Sequence, residues 1–204
     1  LVVGADVFAD GHDVLAATLL WRSADQRDWQ RVTMHPAGND RWEASFTPIR
    51  VGIHEFTIEA WWDVWASFRH DLHLKRQAGQ ALGLEIQEAR GLIDAARKHA
   101  TGETAAGLQQ VLTQLEQGDE AAQAALLLSP ETLALMQAAD RKPFLASLPA
   151  PRRVQVDRPQ AAFASWYELF PRSVTTDPSR HGTFRDVIGR LPAIRDMGFD
   201  VLYF

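Results

Sequence analysis

Apolar positions follow two different rhythms along this chain. From residue 1 to about 74 they come in short runs separated by turn residues. Val14 to Arg22 is mostly apolar and holds Thr18 and Trp21, and Trp29 to Met34 follows after a polar stretch. Gly38-Asn39-Asp40 is a turn signal. In Arg41 to Phe46, Trp42, Ala44 and Phe46 share one face. Beyond Pro48 to Gly52, Phe56, Ile58 and Ala60 keep a period of two, and Trp61 falls out of phase. A period of two predicts half-buried antiparallel strands. Several of them at short spacing predict a β-sandwich of immunoglobulin-like type.

From about residue 75 to 148 the rhythm becomes helical, and the composition turns to Ala, Leu, Gln and Glu. Leu82, Ile86, Ala89, Ile93, Ala96 and Ala100 form one stripe at alternating spacings of four and three. Thr101 to Thr104 breaks it and caps a second helix carrying Ala105, Leu108, Leu112 and Leu115, which Gly118 is placed to end. Asp119 is the expected cap of a short third helix. Ser129-Pro130-Glu131 opens a fourth, with a capping hydroxyl, a proline at the first position and an acid in the first turn. Leu133, Met136 and Ala139 continue it and Pro143 stops it. Four helices with short loops predict a bundle or a pair of helical hairpins. The short, Ala-rich members leave apolar surface over, which makes dimerisation an expectation.

Pro149-Ala150-Pro151 reads as a linker. Arg153 to Pro159 alternates and predicts one more strand returning to the sandwich, so that the helices are an insert. The domains expected are then residues 1–74 with 151–160, the insert 75–148, and a third region 161–204. In the third region an aromatic strand around Trp166 to Phe170 precedes a polar loop. A helix follows over Val187, Ile188, Leu191, Ile194 and Met197, restarting near Pro192. Gly198 ends the helix and Phe199 to Phe204 predicts a second strand. Trp166, Leu169 and Phe170 are expected to be buried. Strand–loop–helix–strand is the opening unit of a parallel β/α fold, and one crossover neither closes such a sheet nor covers it. The expectation is that the chain ends soon after a larger domain has begun.

Composition narrows function by exclusion. The 204 residues carry a formal net charge of −5 with no dominant basic stretch, which argues against nucleic acid. Without cysteine there is no thiolate chemistry, a composition compatible with a reducing cytoplasm. No stretch approaches the roughly 20 apolar residues of a membrane span. The N-terminus lacks both Met and a signal-peptide pattern.

Six of the seven tryptophans lie in the first 65 residues. Trp61, Trp62 and Trp65 are candidate sugar-stacking platforms, the plainer reading being that they cover the sandwich or an interface. His54, His70 and His73 lack the neighbours a metal site needs. Glu168, Arg172 and Ser173 stand near the end of the aromatic strand, where a substrate role and a purely structural one are both open. Asp177 to Gly182 reads as a mobile loop.

Three blocks carry a resemblance. Trp166-Tyr167-Glu168-Leu169-Phe170-Pro171-Arg172-Ser173, Gly182-Thr183-Phe184-Arg185-Asp186-Val187 and Met197-Gly198-Phe199-Asp200-Val201-Leu202-Tyr203, with Asp157-Arg158-Pro159 ahead of them, resemble the α-amylase superfamily (glycoside hydrolase family 13). Within it they are most similar to the GlgE-type α-1,4-glucan:maltose-1-phosphate maltosyltransferases. The resemblance implies a mixed multi-domain protein: an immunoglobulin-like β-sandwich with an inserted helical bundle, followed by the first β-α-β of a truncated TIM barrel. It implies retaining transfer of maltosyl units from maltose 1-phosphate to α-1,4-glucan; beside it stand the expectations of a homodimer from the thin bundle, of a cytoplasmic setting from the absence of cysteine, and of no cofactor or metal. The nucleophilic Asp, the acid/base Glu and the donor-phosphate contacts would lie beyond Phe204, since a barrel needs roughly 250 residues. No catalytic residue is therefore assigned, and the chain alone is expected to be inactive. The alternatives are the front domains of another member of the superfamily (glucan hydrolase, branching enzyme or isomerase), or a stand-alone glucan-binding or oligomerisation module.

Overall fold

The computed structural model describes all residues, 1–204. Two compact units emerge: Leu1–Thr47 with Glu55–Arg153, and Pro48–His54 with Val154–Phe204.

The first unit opens with β1 (Val2–Asp6), β2 (Leu15–Ser23), β3 (Gln30–Thr33), β4 (His35–Gly38) and β5 (Arg41–Ser45), and contains most of β6 (Gly52–Trp62). β1, β5 and β4 form one antiparallel sheet in that order. Asn39 and Asp40 carry the tight β4–β5 turn with φ of 48° and 61°, the left-handed values such a hairpin requires. A second sheet runs β3-β2-β6, with β3 antiparallel to β2. The consecutive apolar residues within β2 follow from burial on both faces: Leu19, Leu20 and Trp21 are all buried. Trp21 stacks on Phe46 with centroids 4.6 Å apart. Antiparallel sheets are as the period of two predicts.

The helices begin earlier than the change in composition at residue 75. The first, α1 (Val64–Gln77), starts directly after β6, where Asp63 Oδ1 accepts the Ala66 N–H at 2.8 Å. The aromatic run around Trp65 concealed it, yet Trp65, Phe68 and Leu72 are spaced three and four apart and buried on one face. Then come α2 (Gly83–Arg97), α3 (Gly102–Gln117), α4 (Glu120–Leu127) and α5 (Pro130–Ala138). Asp119 and Ser129 cap α4 and α5 as expected. Gly118 ends α3, but in extended backbone (φ −89°, ψ 155°) and not in a left-handed cap, because Asp119 must at once start α4. Leu82, Ile86, Ala89 and Ile93 are buried together with Leu108, Val111, Leu115, Ala124 and Leu127 in one core.

The chain re-enters the second sheet twice, not once. β7 (Ala146–Ser147) pairs antiparallel with β6 at Glu59 and Ala60, and β8 (Arg152–Val156) also pairs with β6. The helices are thus inserted between strands of one sheet. No helix is long and apolar enough to cross a membrane.

In the second unit β9 (Trp166–Glu168) and β10 (Val201–Tyr203) form a parallel pair, with Tyr167 opposite Leu202. Between them lie α6 (Phe184–Ile188) and α7 (Leu191–Asp196), the latter with Pro192 in its first turn, so the helix does restart there. Val187 and Ile194 are buried, whereas Trp166 (61%) and Phe170 (57%) are exposed, contrary to expectation. Two strands and two short helices do not supply enough surface to cover both faces of the pair.

Candidate functional site

The three tryptophans do not form one platform. Trp61 donates from Nε1 to Asp140 Oδ2 at 2.6 Å, and the Lys142 ammonium lies 4.3 Å from its ring centroid. Trp62 meets Phe144 at 4.5 Å. Trp65 is buried and stacks on Phe68 at 4.9 Å. They are shared between two concavities of the first unit. One, of about 300 Å³, is walled by Trp61, Trp62, Phe8 and Phe144. Phe8 and Phe144 are exposed there, and Asp6 and Ser147 are its polar members.

The other, of about 410 Å³, has more chemistry. Its base is apolar: Leu92 and Ala96 of α2, Met136 and Ala139 from the α5 end, and Val64 of α1. Asp63, Asp140, His99 and Arg141 are its charged or titratable members. Asp63 is fixed by its capping bond to Ala66. Asp140 is fixed by Trp61 and by the Lys142 backbone N–H, 2.9 Å from Oδ1. Arg141 Nη1 lies 3.0 Å from His99 Nε2. Burial pushes the Asp63 carboxyl above its ordinary value; the Ala66 hydrogen bond opposes this, and the negative charge of Asp140 adds to it. The Trp65 Nε1–H in the same wall is buried and has no acceptor in the protein.

Beside this cavity Glu59 ties the β-sheet to the segment after α5. Lys142 Nζ is 2.7 Å and Arg31 Nη1 2.9 Å from its Oε2. Burial raises the Glu59 carboxyl, but the two cations outweigh it, so it titrates below its usual range.

In the second unit Glu168, Arg172 and Ser173 are exposed at the end of β9. The Arg172 carbonyl accepts the Gly182 N–H at 2.9 Å, which closes the loop between them. That loop is pinned internally. Asp186 accepts Arg180 through both terminal nitrogens (2.9 and 2.7 Å) and Thr183 through its N–H and hydroxyl (2.7 and 2.8 Å). The Arg180 bonds first, then those of Thr183, hold the Asp186 carboxyl well below the usual carboxylate range. Asp177 accepts the Ser179 hydroxyl and N–H. A β-carbon on Gly182 would lie 2.2 Å from the Pro171 carbonyl oxygen, so the loop closes only over glycine.

His54 is buried, with Nδ1 3.3 Å from the Gly52 carbonyl oxygen. His70 and His73 are exposed on α1, and His73 Nε2 is 2.9 Å from Gln77. No three side chains of metal-binding type gather in the protein. Sequence reasoning did not single out Asp140, His99 or Arg141. The available signal was the charged run Asp140-Arg141-Lys142 between a helix and a proline.

Residues 1–158 match a family model described as α-1,4-glucan:maltose-1-phosphate maltosyltransferase, domain N/S. Curated proteins of the same name are similar over the whole chain. Those of Burkholderia pseudomallei and Pseudomonas aeruginosa are 41% and 42% identical over 207 and 206 residues. That of Rhodospirillum rubrum is 44% identical over 220 residues. The chain spans only 18%, 31% and 32% of these three relatives.

Proposed function

The chain belongs to the α-1,4-glucan:maltose-1-phosphate maltosyltransferase family, and from that premise we propose that it is the front part of an enzyme moving maltosyl units from maltose 1-phosphate to the end of an α-1,4-glucan, with release of phosphate. The observation that carries this reading is the family match over residues 1–158, continued by similarity through Phe204. The parallel β9–β10 pair with its helical crossover supports it further, as the expected opening of a (β/α)₈ barrel.

In this reading the sheets of β1 to β8 are an immunoglobulin-like sandwich, α1 to α5 its helical insert in place of the 75–148 expected from composition, and 161–204 the start of the catalytic barrel. Transfer with retention needs two carboxylates about 5 Å apart, one a nucleophile and one an acid/base. Phosphate leaves as the nucleophile attacks the anomeric carbon, and the glucan hydroxyl then displaces the enzyme carboxylate. Those groups are proposed to come from chain beyond Phe204, so the 204 residues alone transfer nothing. A homodimer is part of the proposal, supported by Leu74 and Leu84, which α1 and α2 leave exposed. A cytoplasmic setting accords with the absence of cysteine.

The experiment supplies maltose 1-phosphate and a malto-oligosaccharide to a protein in which this chain continues to the full length of its relatives, with the 204 residues as control. Phosphate release with chain extension by two glucose units, seen in the long protein alone, is expected. Hydrolysis or branching of glucan without phosphate release would assign another branch of the α-amylase superfamily. Light scattering of the long protein as a monomer at micromolar concentration would refute the dimer.

A further inference from the structure

The 410 Å³ cavity of the first unit is large enough for a small ligand, since such sites run from roughly 300 to 1,000 Å³. Its chemistry selects among ligand classes. Asp63 and Asp140 carry negative charge into the site, which disfavours phosphates and other anions. Arg141 and His99 stand on the same wall, so the site does not present the acceptor-only lining that an organic cation would select. A ligand that both donates and accepts hydrogen bonds, carries no charge and has an apolar face meets all of these groups at once. A pyranose ring is such a ligand: its C–H face suits the base of Leu92, Ala96 and Met136, and its hydroxyls suit the mixed rim. Trp65, nine-tenths buried, closes the same wall.

The geometry points to a carbohydrate-binding site between the start of α1, the end of α2 and the segment after α5. We propose that it holds a short stretch of α-1,4-glucan; the choice of sugar rests on the maltosyl-transfer reading. Its rigidity comes from elements already fixed. Asp63 is locked by the α1 cap and Asp140 by the Trp61 indole, so neither carboxylate has to be ordered when the sugar arrives.

Calorimetric titration of the 204-residue chain with maltoheptaose tests the proposal, with dextran and inorganic phosphate as controls. Saturable binding of maltoheptaose is expected, with none of phosphate. Ala95 is exposed at the cavity wall, so Ala95→Trp fills the space from outside with little disturbance of the core. That variant should weaken binding by about tenfold or more. His99→Ala, which removes a rim group only, should weaken it severalfold. Far-UV circular dichroism and the melting temperature verify folding of each variant. No maltoheptaose binding by the folded chain, or unchanged affinity in both variants, would overturn the site. Equal binding of dextran would make it a general sugar site and overturn the α-1,4-glucan assignment. Failure here with maltosyl transfer intact in the long protein removes the cavity and spares the enzyme; sugar binding without any transfer does the reverse.

Discussion

Leu108 on α3 is fully buried, whereas Leu84 on α2 is 79% exposed. Replacing each by alanine removes the same three carbons from very different surroundings. At Leu108 the transfer contribution alone is about 2.4 kcal/mol, at roughly 0.8 kcal/mol per buried methylene. The void left among Ile93, Val111, Leu115 and their neighbours adds to it, because a packed helical core closes only in part. Leu108→Ala should therefore cost about 3–5 kcal/mol, within the span seen for buried leucines. Leu84→Ala should stay within about 0.5 kcal/mol, as surface changes usually do. Urea titration followed by far-UV circular dichroism reads both, with the slope against denaturant unchanged if unfolding remains one cooperative transition. A midpoint for Leu108→Ala that stays as close to the parent's as a surface change would show that Leu108 does not lie in a shared helical core. A midpoint for Leu84→Ala shifted as far as that for Leu108→Ala would show that the exposed leucine is covered, as it would be in a dimer.

Three further outcomes follow from the two units. Gly182→Ala should open the loop after β9, since the new carbon meets backbone at 2.2 Å that cannot rotate away; faster proteolysis between residues 174 and 183 reads it. Asp186 has a folded pKa below its unfolded value, so its contribution is present above the unfolded pKa and is lost as pH falls through the folded one. Hydrogen exchange at the Thr183 amide should stay slow well into the acid range and accelerate only near its lower end, and Asp186→Asn should accelerate it already at neutral pH. Asp63 is opposite in sign: burial raises its pKa, so its ionised form is disfavoured and stability from this group declines as pH rises through the folded value. Carbon NMR should show Asp63 titrating above free aspartate, while Asp63→Ala should still destabilise by about 1 kcal/mol through loss of the α1 cap.

Local pattern was enough for much of this protein. The turn at Gly38-Asn39-Asp40, the caps at Asp119 and Ser129, the restart at Pro192 and the stripe from Leu82 to Ile93 are each written in residues a few positions apart. Their physics is equally local: left-handed backbone, a side-chain acceptor for a free N–H, a missing amide, one face of a helix. The blocks from Trp166 to Tyr203 likewise carried the family resemblance by themselves.

Tertiary structure decided what depends on neighbours distant in sequence. Trp61-Trp62-Asp63-Val64-Trp65 reads as one aromatic run, but β6 ends and α1 begins inside it, so its tryptophans serve separate surroundings. Asp63 joins Asp140 and His99 at one cavity only because the helices return to the sheet they left. Trp166 and Phe170 carry the apolar pattern of a buried strand, yet stay exposed. A sequence records which side chains are fit for burial; whether they are buried depends on what surface the rest of the chain brings to them.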